Sequence, residues 1–127
     1  MTTATLTVLN LYELKGSAGA FTRCIAALAD RVRDEGAAGV LSYRFFVNEA
    51  DGTARAVIDY ADPQAWIDHH DIAMPWPEMT ALHGVARLAE AIFLGPVPDA
   101  IRDWLARSQL TAALRMGYDP AAGFTRA

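Results

Sequence analysis

Among 127 residues there is one cysteine, Cys24, and one lysine, Lys15. A lone cysteine excludes an internal disulfide and a cysteine-based metal cluster. It falls on the apolar stripe of a predicted helix and reads as a small core residue. The other basic residues are ten arginines scattered along the chain, and the net charge is −4. The electrostatic footprint of a nucleic-acid binder is therefore missing. No apolar run reaches the roughly 18–20 residues of a membrane span, and no basic-then-apolar leader opens the chain. The expectation is a cytoplasmic protein that engages neither nucleic acid nor membrane. Glycine-rich phosphate loops and nucleotide fingerprints are absent as well. Ser17, Ser42 and Ser108 lack a nucleophile-elbow context, so covalent catalysis has no support.

What is present is apolar. Hydrophobic residues make up 53% of the chain, which is high for one domain (residues 1–127) that can bury its own core. The surplus needs a subunit interface or an enclosed pocket. Residues 4–13 alternate β-branched and apolar groups and predict a strand with both faces apolar. Ser17 is placed to cap a helix whose inner stripe is Phe21, Cys24, Ile25, Leu28 and Val32. Residues 40–48 and 53–61 predict two strands joined by the Asp51-Gly52 hairpin turn. Asp62-Pro63 starts a second helix that runs to about Ala73, where Met74-Pro75 stops it. A short helical piece follows from Pro77-Glu78 to His83-Gly84, then a fourth strand over 85–94. A third helix begins near Pro98-Asp99 and can continue to Met116. Tyr118 to Ala127 is expected to fray or to lie along a partner.

That order, β-α-β-β-α-β, folds naturally as a four-stranded antiparallel sheet with its helices on one face, the ferredoxin-like α+β arrangement. The opposite face still carries Leu, Val, Tyr and Phe. A second copy packing sheet to sheet covers it by two-fold symmetry, so a homodimer with a shared barrel is expected, the extra C-terminal helix reaching over the partner.

The segment Asp62 to Pro77 concentrates the chemistry, with two of three Trp, two of three His and three of six Pro. On a helix Trp66 shares a face with His69 and His70. Adjacent histidines lie about 100° apart around the axis, so at most one should point squarely into a pocket. Such a histidine can take a phenolic or enolic proton near neutral pH, its ordinary pKa being about 6.5. The plainer reading is a half-exposed pair at a helix end. Asp68-His69-His70-Asp71 has no second imidazole one turn away, so no metal site is expected. Trp76, between two prolines, fits a pocket rim, a dimer contact or the edge of the core. Asn10 interrupts an apolar strand, and a buried amide needs partners from a network or a ligand. Tyr43 and Arg44 alternate on the second strand, so only one of them can see a pocket, and Arg44 is a candidate for an anionic oxygen.

The strand-helix-hairpin-helix-strand order resembles the antibiotic biosynthesis monooxygenase family of the dimeric α+β barrel superfamily. So do the helix Asp62-Pro-Gln-Ala-Trp-Ile-Asp-His-His, in which an aromatic residue precedes a histidine by about one turn, and the strand running into Leu94-Gly95-Pro96. The resemblance spans residues 4–96. The Pro75-Trp76-Pro77 interruption and the tail over 97–127 depart from it. It implies a cofactor-independent monooxygenase that oxidises a small aromatic, polyketide-type or quinol substrate with molecular oxygen, the deprotonated substrate itself supplying the electron. His70, and next to it His69, would be base or hydrogen-bond partner, with Trp66, Trp76, Asn10, Arg44 and Tyr43 around the substrate. Haem-degrading relatives pair a strand asparagine with a helix tryptophan and histidine. Asn10 and Trp66 match the first two, but no histidine fits the spacing, so no cofactor is expected. Other members of the fold support different readings, an isomerase or cyclase, or a non-catalytic barrel that binds a small ligand.

Overall fold

The computed structural model describes residues 5–126. The elements are β1 (Leu6–Leu14), α1 (Ala18–Glu35), β2 (Val40–Asn48), β3 (Thr53–Tyr60), α2 (Pro63–Ala73), α3 (Pro77–Val85), β4 (Ala86–Leu94), α4 (Asp99–Arg107) and β5 (Ala113–Tyr118). They build one open sheet in the order β2-β3-β1-β4-β5. The first four strands pair antiparallel, as the β-α-β-β-α-β order predicts. β5 pairs parallel to β4. The sheet is therefore mixed and five-stranded, a correction to the four-stranded antiparallel expectation.

The correction comes from the tail. The expected helix reaching Met116 stops at Arg107, because Ser108 turns extended there and its hydroxyl donates to the Leu105 carbonyl at 2.7 Å. That bond diverts an acceptor the next turn of helix would have used. Residues 113–118 then gain more by pairing with the open edge of β4, and Arg115 Nε closes the contact on Glu90 at 2.6 Å. Tertiary pairing overrides the helical propensity of the alanines here.

Local signals account for the rest. Ser17 Oγ caps α1 by accepting from the Ala20 amide at 3.0 Å, and Phe21, Ile25, Leu28 and Val32 face inward at spacings of three and four residues. Cys24 sits half-buried at the margin of that stripe. Asp62 Oδ1 accepts from the Ala65 amide at 2.8 Å, so α2 starts where the Asp-Pro pair predicts. α2 then settles so closely on the loop before β2 that a Cβ on Gly39 would lie 2.4 Å from that of Ala65. Only glycine fits that approach.

Burial alternates along the strands. Leu6, Val8 and Tyr12, Ala54 to Tyr60 at every second position, and Ala91 and Phe93 are buried on the helix-covered face. On the other face Leu9, Leu11, Val57 and Ile92 are only half-buried, while Phe46 is 54% and Leu94 37% exposed. Among the described residues, nothing in the chain covers that face. No described helix is long and apolar enough to cross a membrane.

Candidate active site

Between the sheet and α2, α3 and α4 lies a cavity of about 410 Å³, within the roughly 300–1,000 Å³ usual for small-molecule sites. Val8, Asn10 and Tyr12 of β1, Ile58 and Tyr60 of β3, and Ala91 and Phe93 of β4 form its floor. Its roof carries Trp66, His69 and His70 of α2 and Trp104 and Leu105 of α4, and Tyr43 closes one side. The loop Ser108 to Thr111 and Leu114 of β5 complete the wall. A stretch expected to continue the third helix and to reach over a partner thus encloses the chain's own cavity.

His69 and His70 both line this space. Their separation around the helix does not push one of them out, because the cavity reaches two different walls. His69 is 2% exposed. Its ring lies edge-on to Tyr43 at 5.4 Å and tilted to Tyr60 at 6.0 Å. His70, one position on, stacks on Trp66 at 3.9 Å and meets the Trp104 ring at 5.3 Å. Its Nδ1 lies 2.7 Å from the Trp66 carbonyl oxygen. A carbonyl can only accept, so Nδ1 carries the proton and Nε2 keeps the lone pair.

Electrostatics follow from the aromatic walls. Burial lowers the pKa of His69 to about 3, with the positive charge of a protonated His70 as a second cause. Burial lowers that of His70 to about 4, against the opposing pull of the Trp66 carbonyl and Asp71. Both rings are therefore neutral across the physiological range. Desolvation also pushes the phenols upward: Tyr12 to about 12, partly countered by the Asn10 amide, and Tyr43 and Tyr60 well above the ordinary value. These tyrosines stay protonated and can only donate or accept as neutral groups. At one rim Lys15 Nζ donates to the His83 carbonyl at 2.9 Å, and burial and the Lys15 charge lower the pKa of His83.

α4 is fastened over the cavity by its tryptophan. Trp104 Nε1 donates to Asp71 Oδ1 at 2.9 Å, and its ring stands perpendicular to Trp66 at 5.1 Å. Asp71 of α2 is thus the anchor that holds α4 in place.

Of the candidates from the sequence, Asn10, Tyr43, Trp66, His69 and His70 come together. Asn10 Nδ2 donates to the Tyr12 hydroxyl at 3.3 Å. Trp76 and Arg44 do not line the cavity. Trp76 opens α3 and lies under the Arg31 guanidinium at 4.4 Å, while Arg31 also pairs with Glu78 at 2.9 Å. The Pro-Trp-Pro break is thus a joint that ties α3 to α1. Arg44 is exposed beside Phe46, its guanidinium 5.9 Å from that ring, because strand alternation gives the inward position to Tyr43. Tyr60 and Trp104 were missed as cavity residues. Tyr60 had a signal, the same strand parity as Ile58. Trp104 had one only as part of an apolar stripe. Among the described residues no group of three or more His, Cys, Asp or Glu is placed to hold a metal.

No family model and no curated protein matches the chain. Solved structures do match. MupZ from Pseudomonas fluorescens superimposes with a TM-score of 0.73 at 20% identity, over 96% of this chain and 94% of that one. SnoaB, a cofactor-independent oxygenase from Streptomyces nogalater, gives 0.57 at 16% identity, over 74% of this chain and 94% of its own. A candidate antibiotic biosynthesis monooxygenase from Caulobacter crescentus gives 0.61 at 17%, over 76% and 92%. The fold is that of the antibiotic biosynthesis monooxygenases. The cavity described above lies between the sheet and the helices, and the bare sheet face lies on the opposite side.

Proposed function

We propose that the protein is a monooxygenase of this fold that oxidises a small phenol or enol of aromatic polyketide or quinol type with molecular oxygen, without metal, flavin or haem. The observation that carries the reading is His70, a neutral imidazole with a free Nε2 lone pair, stacked on Trp66 in an aromatic cavity. SnoaB, with the same fold, is a cofactor-independent oxygenase. In the proposed reaction His70 accepts the acidic proton of the substrate. The resulting anion, more easily oxidised than the phenol, gives its electrons to oxygen. For a methylene carbon activated by the ring the balance is R₂CH₂ + O₂ → R₂C=O + H₂O. One oxygen atom enters the product and the other leaves as water, so the substrate supplies all four electrons. Protein dipoles and the exclusion of water stabilise the anion.

Chelator-treated protein in an oxygen electrode, offered quinols and polycyclic phenols, tests this. Saturable uptake with one atom of ¹⁸O₂ in the product is expected. A substrate-dependent absorbance change without uptake would make the protein an isomerase or cyclase. Saturable binding without either change would make it a ligand-binding barrel.

The second copy belongs to the same proposal. Leu9, Leu11, Val57 and Ile92 form an apolar centre on the bare sheet face, with the Glu13–Arg87 and Glu90–Arg115 pairs at its margins. An apolar centre with a polar rim is the anatomy of a homodimer interface. Sedimentation at micromolar concentration is expected to give a dimer, and Val57→Lys a monomer. A monomeric parent protein would remove the shared barrel.

A further inference from the structure

His69 is the buried polar residue that the proposed chemistry leaves without a task. Its Nδ1 is sealed in the protein with no hydrogen-bond partner. Placing the proton there would bury an unpartnered N–H donor, which native structures avoid more strictly than an under-used acceptor. The proton therefore belongs on Nε2, the nitrogen not sealed in this way, on a residue that lines the cavity. In His70 the Trp66 carbonyl fixes the opposite arrangement, with the proton on Nδ1. The two rings stand nearly perpendicular, 5.0 Å apart between centres. Within the described residues no protein group hydrogen-bonds His69 Nε2 or His70 Nε2.

We infer that His69 and His70 are held in opposite neutral tautomers and form a clamp of one donor and one acceptor, and that the ligand it fits is a hydroxyaryl ketone. His70 Nε2 accepts from the aryl hydroxyl. His69 Nε2–H donates to the ketone oxygen on the same edge of the ring system, where the two oxygens are too far apart to bond each other. Two neutral groups of opposite sense recognise this pattern at no cost in buried charge. They reject a ring with two carbonyls on that edge, which leaves His70 without a donor. Strict rejection is what a site of buried, pre-set polar groups achieves. The inference narrows the substrate class of the proposed function and rests on the same cavity, but it is tested without any turnover.

Ring nitrogens of ¹⁵N-histidine-labelled protein, assigned by long-range proton–nitrogen correlation at neutral pH, should show His70 with the proton on Nδ1 and His69 with it on Nε2. Two histidines in the same tautomer, or either one positively charged, would overturn the clamp. For the ligand class, calorimetric titration compares 7-hydroxy-1-tetralone with its methyl ether and with 5,6,7,8-tetrahydro-2-naphthol, which lacks the ketone. The hydroxyketone should bind at least tenfold tighter than either. His69→Leu should abolish its advantage over the tetrahydronaphthol, and His69→Gln, which keeps an N–H donor near the position of Nε2, should restore it. Equal affinity for all three compounds, or an advantage that survives His69→Leu, would overturn the assignment. If the tautomers and affinities hold while the oxygen electrode stays silent, the monooxygenase reading falls and the clamp stands.

Discussion

A His70→Ala variant is expected to consume oxygen roughly 10²–10⁴-fold more slowly than the parent protein, the range that a positioned general base contributes. His70 is the base because the Trp66 carbonyl occupies its Nδ1 and leaves Nε2 as the proton acceptor. The same geometry predicts an unusual pH profile. With its pKa held at about 4, the ring cannot be switched off by protonation between pH 5 and 8. In that window kcat should show no histidine inflection and should follow only the ionisation of the substrate. Rates from pH 5 to 8 check both parts, with circular dichroism to confirm that the variant is folded. A variant retaining half the parent rate, or an inflection near pH 6.5 in the parent protein, would remove His70 from this role.

Stability should fall steeply on acidification over the same interval. In the unfolded chain both histidines take up protons near the ordinary pKa of 6.5; in the folded chain they stay neutral to about 3 and about 4. Below pH 6.5 the unfolded state thus binds more protons, and the free energy of unfolding decreases as pH falls. The groups around the pair, Tyr43 and Tyr60 from the sheet and Trp66 and Trp104 from the helices, carry no charge there, and Asp71 offsets the trend only in part. At 1.36 kcal/mol per pH unit, each histidine removes about 2 kcal/mol between neutral pH and pH 5. Below their folded-state values the loss stops. Paired urea denaturations at pH 7 and pH 5 measure it, and His69→Gln should cancel about half. An unchanged pH dependence in that variant would show that His69 is not held neutral by the fold.

Much of this architecture is legible in the sequence because it is written locally. Ser17, Asp62-Pro63 and Asp51-Gly52 each set one boundary with their own chemistry, and period-two alternation says that only one of Tyr43 and Arg44 can face the cavity, without saying which. What was not legible depends on distant partners. Nothing near Leu114 or Met116 says that β4 ends the sheet with an open edge, so a helical spacing was read where a strand forms. The aromatic surroundings of His69 come from β2 and β3, and Tyr60 enters only once strands and helix are docked. A related limit left Trp76 between a pocket rim, a dimer contact and the edge of the core, the last of which the structure shows. Two prolines announce a break in the helix but not its neighbour, and that neighbour is Arg31 of α1.

The placement of the three tryptophans has an optical consequence. Trp66 and Trp104 stand perpendicular to each other in the cavity wall, and Trp76 lies outside it beneath Arg31. Two emitters are thus positioned to sense whatever enters, while the third supplies a steady background. The stack of Trp66 on a neutral imidazole also couples its emission to the charge on His70, since a protonated ring quenches indole and a neutral one does so weakly. The fluorescence of the unmodified protein therefore carries both occupancy and protonation in a single spectrum.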